Sequence, residues 1–171
     1  MTNRSHLHVV VMGVAGTGKS TVAQALADEL SLVFTEGDDR HPRANIEKMS
    51  SGTALDDDDR TPWLDALARW TREQHDNGQD TVLTCSALRR RYRDVLRAAV
   101  PEPTFFVHLA GPAEVLAARM AARDHFMPTS LLDSQLATLE QLDPDEAGQV
   151  VDVDRPLEQV VDDALAIVRR L

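Results

Sequence analysis

The sequence predicts an α/β fold, with one domain built on a five-stranded parallel sheet that carries helices on both faces. Three observations predict this class. Short apolar runs alternate along the chain with segments of helical periodicity, as in successive βαβ units. The first apolar run leads into a glycine-rich loop that opens a helix. The length of 171 residues suits one domain with a substantial core, and the sequence shows no internal repeat, low-complexity segment or linker.

The first half of the chain is predicted to hold three strands and three helices. The strands are short apolar runs, and the helices place apolar residues three or four positions apart. The longest helix is predicted to start at a Thr-Pro pair, which is a common helix start, and to end before an Asn-Gly pair. In chain order these elements are strand Leu7–Met12, helix Ser20–Leu30, strand Leu32–Thr35, helix Pro42–Met49, helix Thr61–His75 and strand Thr81–Cys85.

The region from about residue 38 to 77 holds more than a simple crossover needs, because two helices separate the second and third strands. We therefore predict an inserted substrate-binding part there. Its acidic run, Asp56–Asp59, is interpreted as a solvated stretch, and the next residue, Arg60, as pointing inward. Trp63 and Trp70 are seven positions apart and are predicted to be core residues rather than base-stacking ones.

The second half is predicted to continue the alternation with two more strands. A break containing Pro128 interrupts its helices, and we predict a lid over about residues 121–130. The elements in chain order are helix Leu88–Val100, strand Thr104–Leu109, helix Pro112–Arg123, the break Asp124–Thr129, helix Leu131–Leu142, strand Gln149–Val153 and helix Pro156–Arg170.

The charge balance narrows the classes of function. Eighteen basic and 28 acidic residues give a formal net charge of −10, which argues against a nucleic-acid partner. Because no apolar run approaches about 18 residues, we expect no membrane-spanning helix. The N-terminal apolar run is predicted to be a strand rather than a signal peptide. The single cysteine, Cys85, cannot form an internal disulfide and is predicted to be a small core residue, so we expect a cytoplasmic protein.

The segment GVAGTGKS, residues 13–20, matches the phosphate-loop pattern GxxxxGK[ST] between a predicted strand and a predicted helix. Glycines let successive backbone N–H groups surround phosphate oxygens, and the helix N-terminus adds partial positive charge. Lys19 is expected to reach the β- and γ-phosphates, and Ser20 to hold Mg²⁺. The residues predicted to bind ATP are Gly13, Val14, Ala15, Gly16, Thr17, Gly18, Lys19, Ser20 and Thr21.

The phosphate loop leaves the reaction open, and other features narrow it. A GTPase normally carries an [NT]KxD motif, and neither of the two lysines, Lys19 and Lys48, lies in one. A motor-type ATPase needs a longer chain. A compact kinase acting on a small molecule is the leading interpretation. A kinase for shikimate or a nucleoside monophosphate, and a nucleotide-binding regulatory module without turnover, are the alternatives.

A kinase also needs a carboxylate that orients and deprotonates the acceptor hydroxyl. Glu36 and Asp38 follow the second predicted strand, and alternate residues of an extended strand end share one face. In parallel sheets ligands bind at the carboxyl ends of the strands. We therefore predict Glu36 near the Mg²⁺ and its waters, and Asp38 near the acceptor hydroxyl.

Several arginines are candidates for anion binding. Arg89 and Arg93 follow the third strand on one helical face, and one or both are predicted to bind an anionic substrate group. Arg119 and Arg123 precede the predicted break, in a spacing that suits a lid closing over phosphates. His125, within the break, is a candidate for contact with the acceptor. A solvated surface role is the alternative for each of these residues.

Four segments together resemble the gluconokinases of the P-loop kinase superfamily. They are GVAGTGKST, GDDRHPRANIEKMSSGTALDDDDRTPWL, CSALRRRYRD and VVDVDRPLEQVV, and the resemblance spans roughly Val9 to Val168. It implies a P-loop kinase fold with a helical substrate-binding insertion and a mobile lid. The implied activity is transfer of the γ-phosphate of ATP to the 6-hydroxyl of D-gluconate. A homodimer is also implied.

The resemblance also assigns roles to residues. It makes Lys19, Asp38, Arg119 and Arg123 the catalytic group, with Asp38 against the acceptor. Candidates for gluconate contact are Asp38, Arg43, Lys48, Arg60, Arg89 and His125. Mg²⁺ is expected at Ser20, and at Glu36 through water.

Overall fold

The computed structural model describes residues 4–122 and 130–171. Its five strands are all parallel and form one sheet in the order β2-β3-β1-β4-β5, which confirms the predicted fold class. The strands are β1 (His8–Met12), β2 (Val33–Thr35), β3 (Thr81–Thr84), β4 (Thr104–Ala110) and β5 (Gly148–Asp152).

Helices cover both faces of the sheet. They are α1 (Lys19–Leu30), α2 (Arg43–Ser50), α3 (Asp57–Asp76), α4 (Arg90–Arg97), α5 (Ala113–Ala121), α6 (Ser130–Thr138) and α7 (Leu157–Val168). Crossovers between parallel strands are right-handed, and the chain reverses its direction across the sheet at β2, so the crossover helices after β2 lie on the face opposite α1. The contacts agree, because α3 packs on α4, whereas α7, which follows the last strand, packs on α1.

The core lies along the central strands. Every residue of β1 is buried, because this strand has neighbours on both sides and helices above and below. Both tryptophans are buried, as predicted, with Trp63 2% and Trp70 7% exposed. Cys85 is also buried, as predicted, and burial raises the pKa of its thiol to about 12.

The strand register brings several predicted site residues to one edge of the sheet. Val11 of β1 pairs with Thr84 of β3, and Thr35 of β2 pairs with Leu83. The residues that follow these strands therefore emerge side by side at the carboxyl edge. Within the described ranges, no helix has the length and apolar character needed to cross a membrane.

The start of α3 differs from the prediction. The helix begins at Asp57, four residues before the predicted start, and Pro62 lies inside it. A capping box explains the difference, since the Asp56 carboxylate accepts from Asp59 N at 2.8 Å and Asp56 N donates to the Asp59 carboxylate at 2.9 Å. The interpretation of Asp56–Asp59 as merely solvated was therefore wrong for these two aspartates.

Four helices, α4, α5, α6 and α7, are shorter than predicted. Helix α4 starts at Arg90 instead of Leu88, because Ala87 has a left-handed backbone with a φ of 47° and Arg89 is extended and caps the helix. Helix α6 ends at Thr138 instead of Leu142. Most of the predicted break and lid, residues 123–129, lies outside the described residues.

Candidate functional site

The glycine-rich loop joins β1 to α1 as predicted. Gly13 has a φ of 147°, and a Cβ there would lie 2.5 Å from the carbonyl oxygen of Leu109, so the close approach to β4 requires glycine. Gly18 caps α1 with a left-handed backbone. Thr17 Oγ1 donates to Val14 O at 2.9 Å and fixes the loop from inside. The result is a loop that ends at a helix N-terminus, where backbone N–H groups can bind phosphate.

Lys19 lies in the cleft beside this loop, with its Nζ donating to Val14 O at 3.1 Å. Burial lowers the pKa of its ammonium group from the ordinary value, while the negative charges of Asp38 and Glu36 oppose that shift. Lys19 is thus a positive charge held close to two carboxylates. An incoming phosphate would be a third anionic partner for it.

Glu36 forms an oxygen-rich group with two hydroxyls. Ser20 Oγ donates to Glu36 Oε2 at 2.6 Å, and Thr84 Oγ1 donates to the other carboxylate oxygen. Ser20 opens α1, Glu36 follows β2, and Thr84 ends β3. Hydroxyl and carboxylate oxygens are the hard ligands that Mg²⁺ prefers, so this set fits such an ion.

Gly37 holds the end of β2 against β3. Its N–H donates to Thr84 Oγ1 at 2.9 Å, and its carbonyl accepts from Trp63 Nε1 at 2.8 Å. A Cβ at Gly37 would lie 1.8 Å from Thr84 O, so no larger residue fits without moving the backbone. A 3-10 turn, Gly37–Arg40, follows. This anchoring keeps Glu36 and Asp38 at the same edge.

His41 follows the 3-10 turn and lies beside Asp38. Its ring stacks on Trp63 with centroids 3.9 Å apart and planes 19° apart. Its Nε2 lies 3.8 Å from Asp38 Oδ1, and its Nδ1 lies 3.3 Å from the side-chain nitrogen of Asn45. Burial, followed by the charge of Arg60, lowers the pKa of His41 to about 4. The ring is therefore neutral at physiological pH.

Arg60 points inward, as predicted, and is held by an aromatic neighbour. Its Nη1 donates to the hydroxyl of Tyr92 at 2.8 Å, and its guanidinium lies 5.2 Å from the centre of that ring. The Tyr92 hydroxyl donates in turn to Asp57, which also pairs with Arg91. Arg60 thus presents a fixed positive charge to the cleft, where a carboxylate could be recognised.

One cleft contains these groups and opens to solvent. The phosphate loop forms one wall, Glu36 to His41 a second, and the segment from Met49 to Trp63 a third. Helix α6 contributes Leu131, Ser134 and Gln135. These walls bring the phosphate loop and the carboxylates of Glu36 and Asp38 together in one cleft.

Gln135 touches the phosphate loop directly, since its Oε1 accepts from Ala15 N at 2.7 Å. The sequence interpretation missed this residue, because nothing in its spacing links α6 to the loop. It also assigned no role to His41 or Thr84. The HPxxN pattern around His41 was the available signal for that residue, and Thr84 carries none that we recognise.

Three residues predicted to contact the substrate lie outside the lining of the cleft. Arg43 is almost fully exposed and pairs with Glu47, and Lys48 Nζ bonds to Asp59 at 2.6 Å, which ties α2 to the start of α3. Arg89 caps α4, with its Nε buried and without a hydrogen-bond partner among the described residues. The cleft brings Asp38 and Arg60 together, but the side chains of these three residues are not among its lining. Their role in gluconate binding stays a prediction.

Two other predicted arginines are engaged elsewhere. Arg119 Nη2 donates to the carbonyls of Val153 at 2.6 Å and Arg155 at 3.0 Å, so it braces the loop after β5. Its catalytic role stays a prediction. Arg93 is fully buried and pairs with Glu146 at 2.7 Å, and it also donates to Ala87 O. The suggestion that Arg93 binds substrate is therefore wrong.

Burial alone would raise the pKa of Glu146, but hydrogen bonds from Arg93, Asp143 N and Arg97 outweigh that effect and bring the pKa to about 2. The ion pair between Arg93 and Glu146 joins α4 to the segment before β5. The remaining candidates, Arg123 and His125, lie outside the described residues.

Comparisons with known proteins agree with this geometry. The family described as "AAA domain" matches residues 9–142. The chain is 43% identical over 171 residues to the thermoresistant gluconokinase of Escherichia coli (strain K12), covering 99% of this chain and 97% of that protein. It is 55% identical over 139 residues to a gluconokinase of Gluconobacter oxydans (strain 621H), covering 81% and 78% of the two chains.

A solved structure gives the same result in three dimensions. The crystal structure of a gluconokinase from Sinorhizobium meliloti 1021 superposes with a TM-score of 0.88 at 46% identity. The match covers 98% of this chain and 94% of that one. The similarity therefore extends over the sheet, the insertion between β2 and β3, and the cleft.

Proposed function

Because this chain belongs to the gluconokinase family of P-loop kinases, we propose that it transfers the γ-phosphate of ATP to the 6-hydroxyl of D-gluconate, giving 6-phospho-D-gluconate and ADP. One observation carries the proposal. A single cleft contains both the phosphate loop with Lys19 and, facing it, the carboxylate of Asp38. A phosphoryl donor and a hydroxyl acceptor need these two kinds of group in one water-excluding site.

The donor side of the cleft is the phosphate loop, residues 13–20. Its backbone N–H groups and the N-terminus of α1 would bind the phosphates of ATP. Lys19 would neutralise negative charge on the transferring phosphoryl group. Gly13, Val14, Ala15, Gly16, Thr17, Gly18, Ser20 and Thr21 complete the proposed ATP site.

The residues suited to Mg²⁺ are Ser20, as a direct ligand, and Glu36, through water. The fit rests on the hydrogen bond between Ser20 Oγ and Glu36 Oε2, which brings two hard oxygen donors together beside the phosphate loop. Ser20 and Glu36 would hold the ion, which would supply positive charge beside the phosphates of ATP. Thr84 holds Glu36 in place from the neighbouring strand.

The acceptor side is lined by Asp38, His41 and Arg60. Asp38 would accept the proton of the 6-hydroxyl and orient its oxygen toward the γ-phosphate. Arg60, fixed by Tyr92, suits the carboxylate of gluconate at the other end of the molecule. A polar, charged wall of this kind matches a ligand with a carboxylate and a row of hydroxyls.

The test is a coupled assay of ADP release with D-gluconate, shikimate and AMP as separate acceptors. We expect turnover with gluconate, and ³¹P NMR should show a phosphomonoester on its 6-oxygen. Turnover with shikimate or AMP but not gluconate would instead assign a different small-molecule kinase. ATP binding without turnover of any acceptor would assign a regulatory module.

The proposal extends to the assembly and its location. By similarity to the family, we expect a homodimer in the cytoplasm that acts on small molecules without nucleic-acid or membrane partners. Size-exclusion chromatography with light scattering would measure the mass, which is 18.9 kDa for one chain. A mass near that of one chain at micromolar concentration would contradict the dimer.

A further inference from the structure

His41 is held from several sides in the acceptor part of the cleft. Its side chain is only 3% exposed, although the residue lines the cleft. The stack on Trp63 fixes the plane of the ring, and Trp63 is fixed in turn by its bond to Gly37 O. The ring can leave this plane only by losing the stack, and within the plane the contact with Asn45 favours the orientation that puts Nε2 toward Asp38.

Asn45 determines which ring nitrogen carries the proton. A side-chain amide nitrogen has two N–H donors and no acceptor. One donor of Asn45 goes to Asp59 O at 2.7 Å, and the other faces His41 Nδ1 at 3.3 Å. Nδ1 must therefore accept, and the proton of the neutral ring lies on Nε2.

The charges around His41 keep the ring neutral. The positive guanidinium of Arg60, from α3, disfavours an imidazolium, and burial acts in the same direction. The Asp59 carboxylate is occupied by Lys48. Asp38 is the negative group that faces the ring, and the positive charge of Lys19 interacts with Asp38. His41 thus enters the cleft as an uncharged N–H donor.

The Nε2–H group faces one particular oxygen, Asp38 Oδ1, at 3.8 Å. This separation exceeds a hydrogen bond, and the Asp38 side chain is about half exposed, 47%, so it is able to rotate. Hydrogen bonds of this kind commonly shorten when the substrate binds. If the Nε2–H group of His41 donates to Oδ1, the other carboxylate oxygen of Asp38 is free to face the acceptor hydroxyl.

We propose that His41 is a positioning residue for the Asp38 carboxylate, held in its Nε2–H tautomer by Asn45. The inference rests on the proposed function, because it concerns the same cleft. His41 donates to one oxygen of Asp38 and so fixes the orientation in which the other oxygen meets the acceptor. It exchanges no proton during the reaction.

The kinetic test compares His41→Phe with His41→Gln. Phenylalanine keeps the stack on Trp63 and removes the donor, whereas glutamine restores an N–H donor. We expect His41→Phe to lower kcat about tenfold or more, with the KM for ATP changed less than about twofold. His41→Gln should recover at least about a third of the native kcat. Equal losses in the two variants would overturn the proposal, as would a native kcat in His41→Phe.

A double-mutant cycle tests whether His41 acts through Asp38. In an Asp38→Asn background, His41→Phe should lower kcat little further, because the carboxylate that His41 orients is already absent. A full additional loss would overturn the proposal. His6→Phe, at the opposite edge of the sheet, is the matched control and should leave kcat unchanged.

The tautomer has a test that does not depend on turnover. Long-range ¹H–¹⁵N spectra of the native protein should show His41 with a protonated Nε2 and an unprotonated Nδ1, assigned by loss of the signal in His41→Gln. Asn45→Ala should give a mixture of tautomers. A protonated Nδ1 in the native protein would overturn the proposal. Absence of gluconate turnover in the native protein would sink the proposed function alone.

Discussion

Arg60 and Arg93 carry the same guanidinium group in opposite surroundings. Arg60 faces the cleft and is oriented by a tyrosine hydroxyl, whereas Arg93 is fully buried against Glu146. The sequence predicts that an arginine-rich helix has a charged face, but spacing along one helix cannot show which acid approaches from elsewhere. Glu146 is 53 residues from Arg93. Sorting the arginines therefore required the tertiary structure, while the phosphate loop was predictable because a local glycine pattern defines it.

At the residue scale, replacing Asp38 tests the acceptor site. Asp38→Asn removes the proton acceptor and keeps the shape, so we expect kcat to fall by about 100-fold or more. ATP affinity, measured by calorimetry, should stay within about threefold, because the phosphate loop is unchanged. Asp39→Asn is the matched control, since Asp39 is the exposed neighbour. A near-native kcat in Asp38→Asn would remove this residue from the proposed chemistry.

Gly37→Ala tests the close contact between β2 and β3. A Cβ there would lie 1.8 Å from Thr84 O, so the two strands must separate, and we expect a loss of about 3 kcal/mol or more in the free energy of unfolding. Urea denaturation measures it. Gly78→Ala is the comparison, because its Cβ meets nothing within 4 Å and only its φ of 72° opposes the change, at about 1 kcal/mol. Equal losses of unfolding free energy in the two variants would show that the strands accommodate a Cβ at Gly37.

At the element scale, strands and helices were predictable in type and order, and their ends were less so. The period of apolar residues follows from which face is buried, and that pattern is written in the sequence. Helix ends depend on individual hydrogen bonds. The Thr-Pro pair predicted the start of α3, but the paired side chains of Asp56 and Asp59 capped the helix one turn earlier. Two competing start signals stood four residues apart, and the capping box determined the outcome.

Asp56→Ala tests that cap. It removes the acceptor of Asp59 N and the reciprocal geometry, so we expect the free energy of unfolding to fall by about 1 kcal/mol. Asp58→Ala, in the first turn of the same helix and outside the box, should lower the free energy of unfolding by only about 0.3 kcal/mol, through the helix dipole. Thermal unfolding monitored by circular dichroism compares the two. If both variants lost the same amount, the cap would contribute nothing specific.

At the scale of the whole molecule, three buried histidines and one buried acid among the described residues couple stability to pH. Burial, with the nearby charge of Arg93, lowers the pKa of His108 to about 4, as burial and Arg60 do for His41. Burial also lowers the pKa of His8. Each histidine is neutral in the folded protein at pH values where it is protonated in the unfolded chain. Glu146 shows the other case, with a pKa brought to about 2 by its arginine neighbours.

The stability profile should therefore fall in two steps on acidification. Between the ordinary histidine pKa of 6.5 and about 4, the unfolded chain binds more protons, so the free energy of unfolding decreases as the pH falls. From 4.5 to about 2, protonation of Glu146 in the unfolded chain decreases it further. Urea denaturation at a series of pH values measures both steps.

His108→Leu separates the contributions. Both ring nitrogens of His108 are buried without hydrogen-bond partners among the described residues, so leucine removes a group that is costly to bury. We expect a shallower slope between pH 6.5 and 4 in this variant, with the step below pH 4.5 retained. A slope equal to that of the native protein would show that His108 does not carry the first step.

Cys85 makes this chain convenient for labelling experiments. It is the single thiol of the chain, it is buried, and a pKa near 12 leaves it unreactive toward alkylating reagents at neutral pH. A fluorophore or spin label attached through a newly introduced surface cysteine would therefore report from one known position. With two introduced cysteines, distances across the cleft become measurable in solution while the native cysteine stays in place.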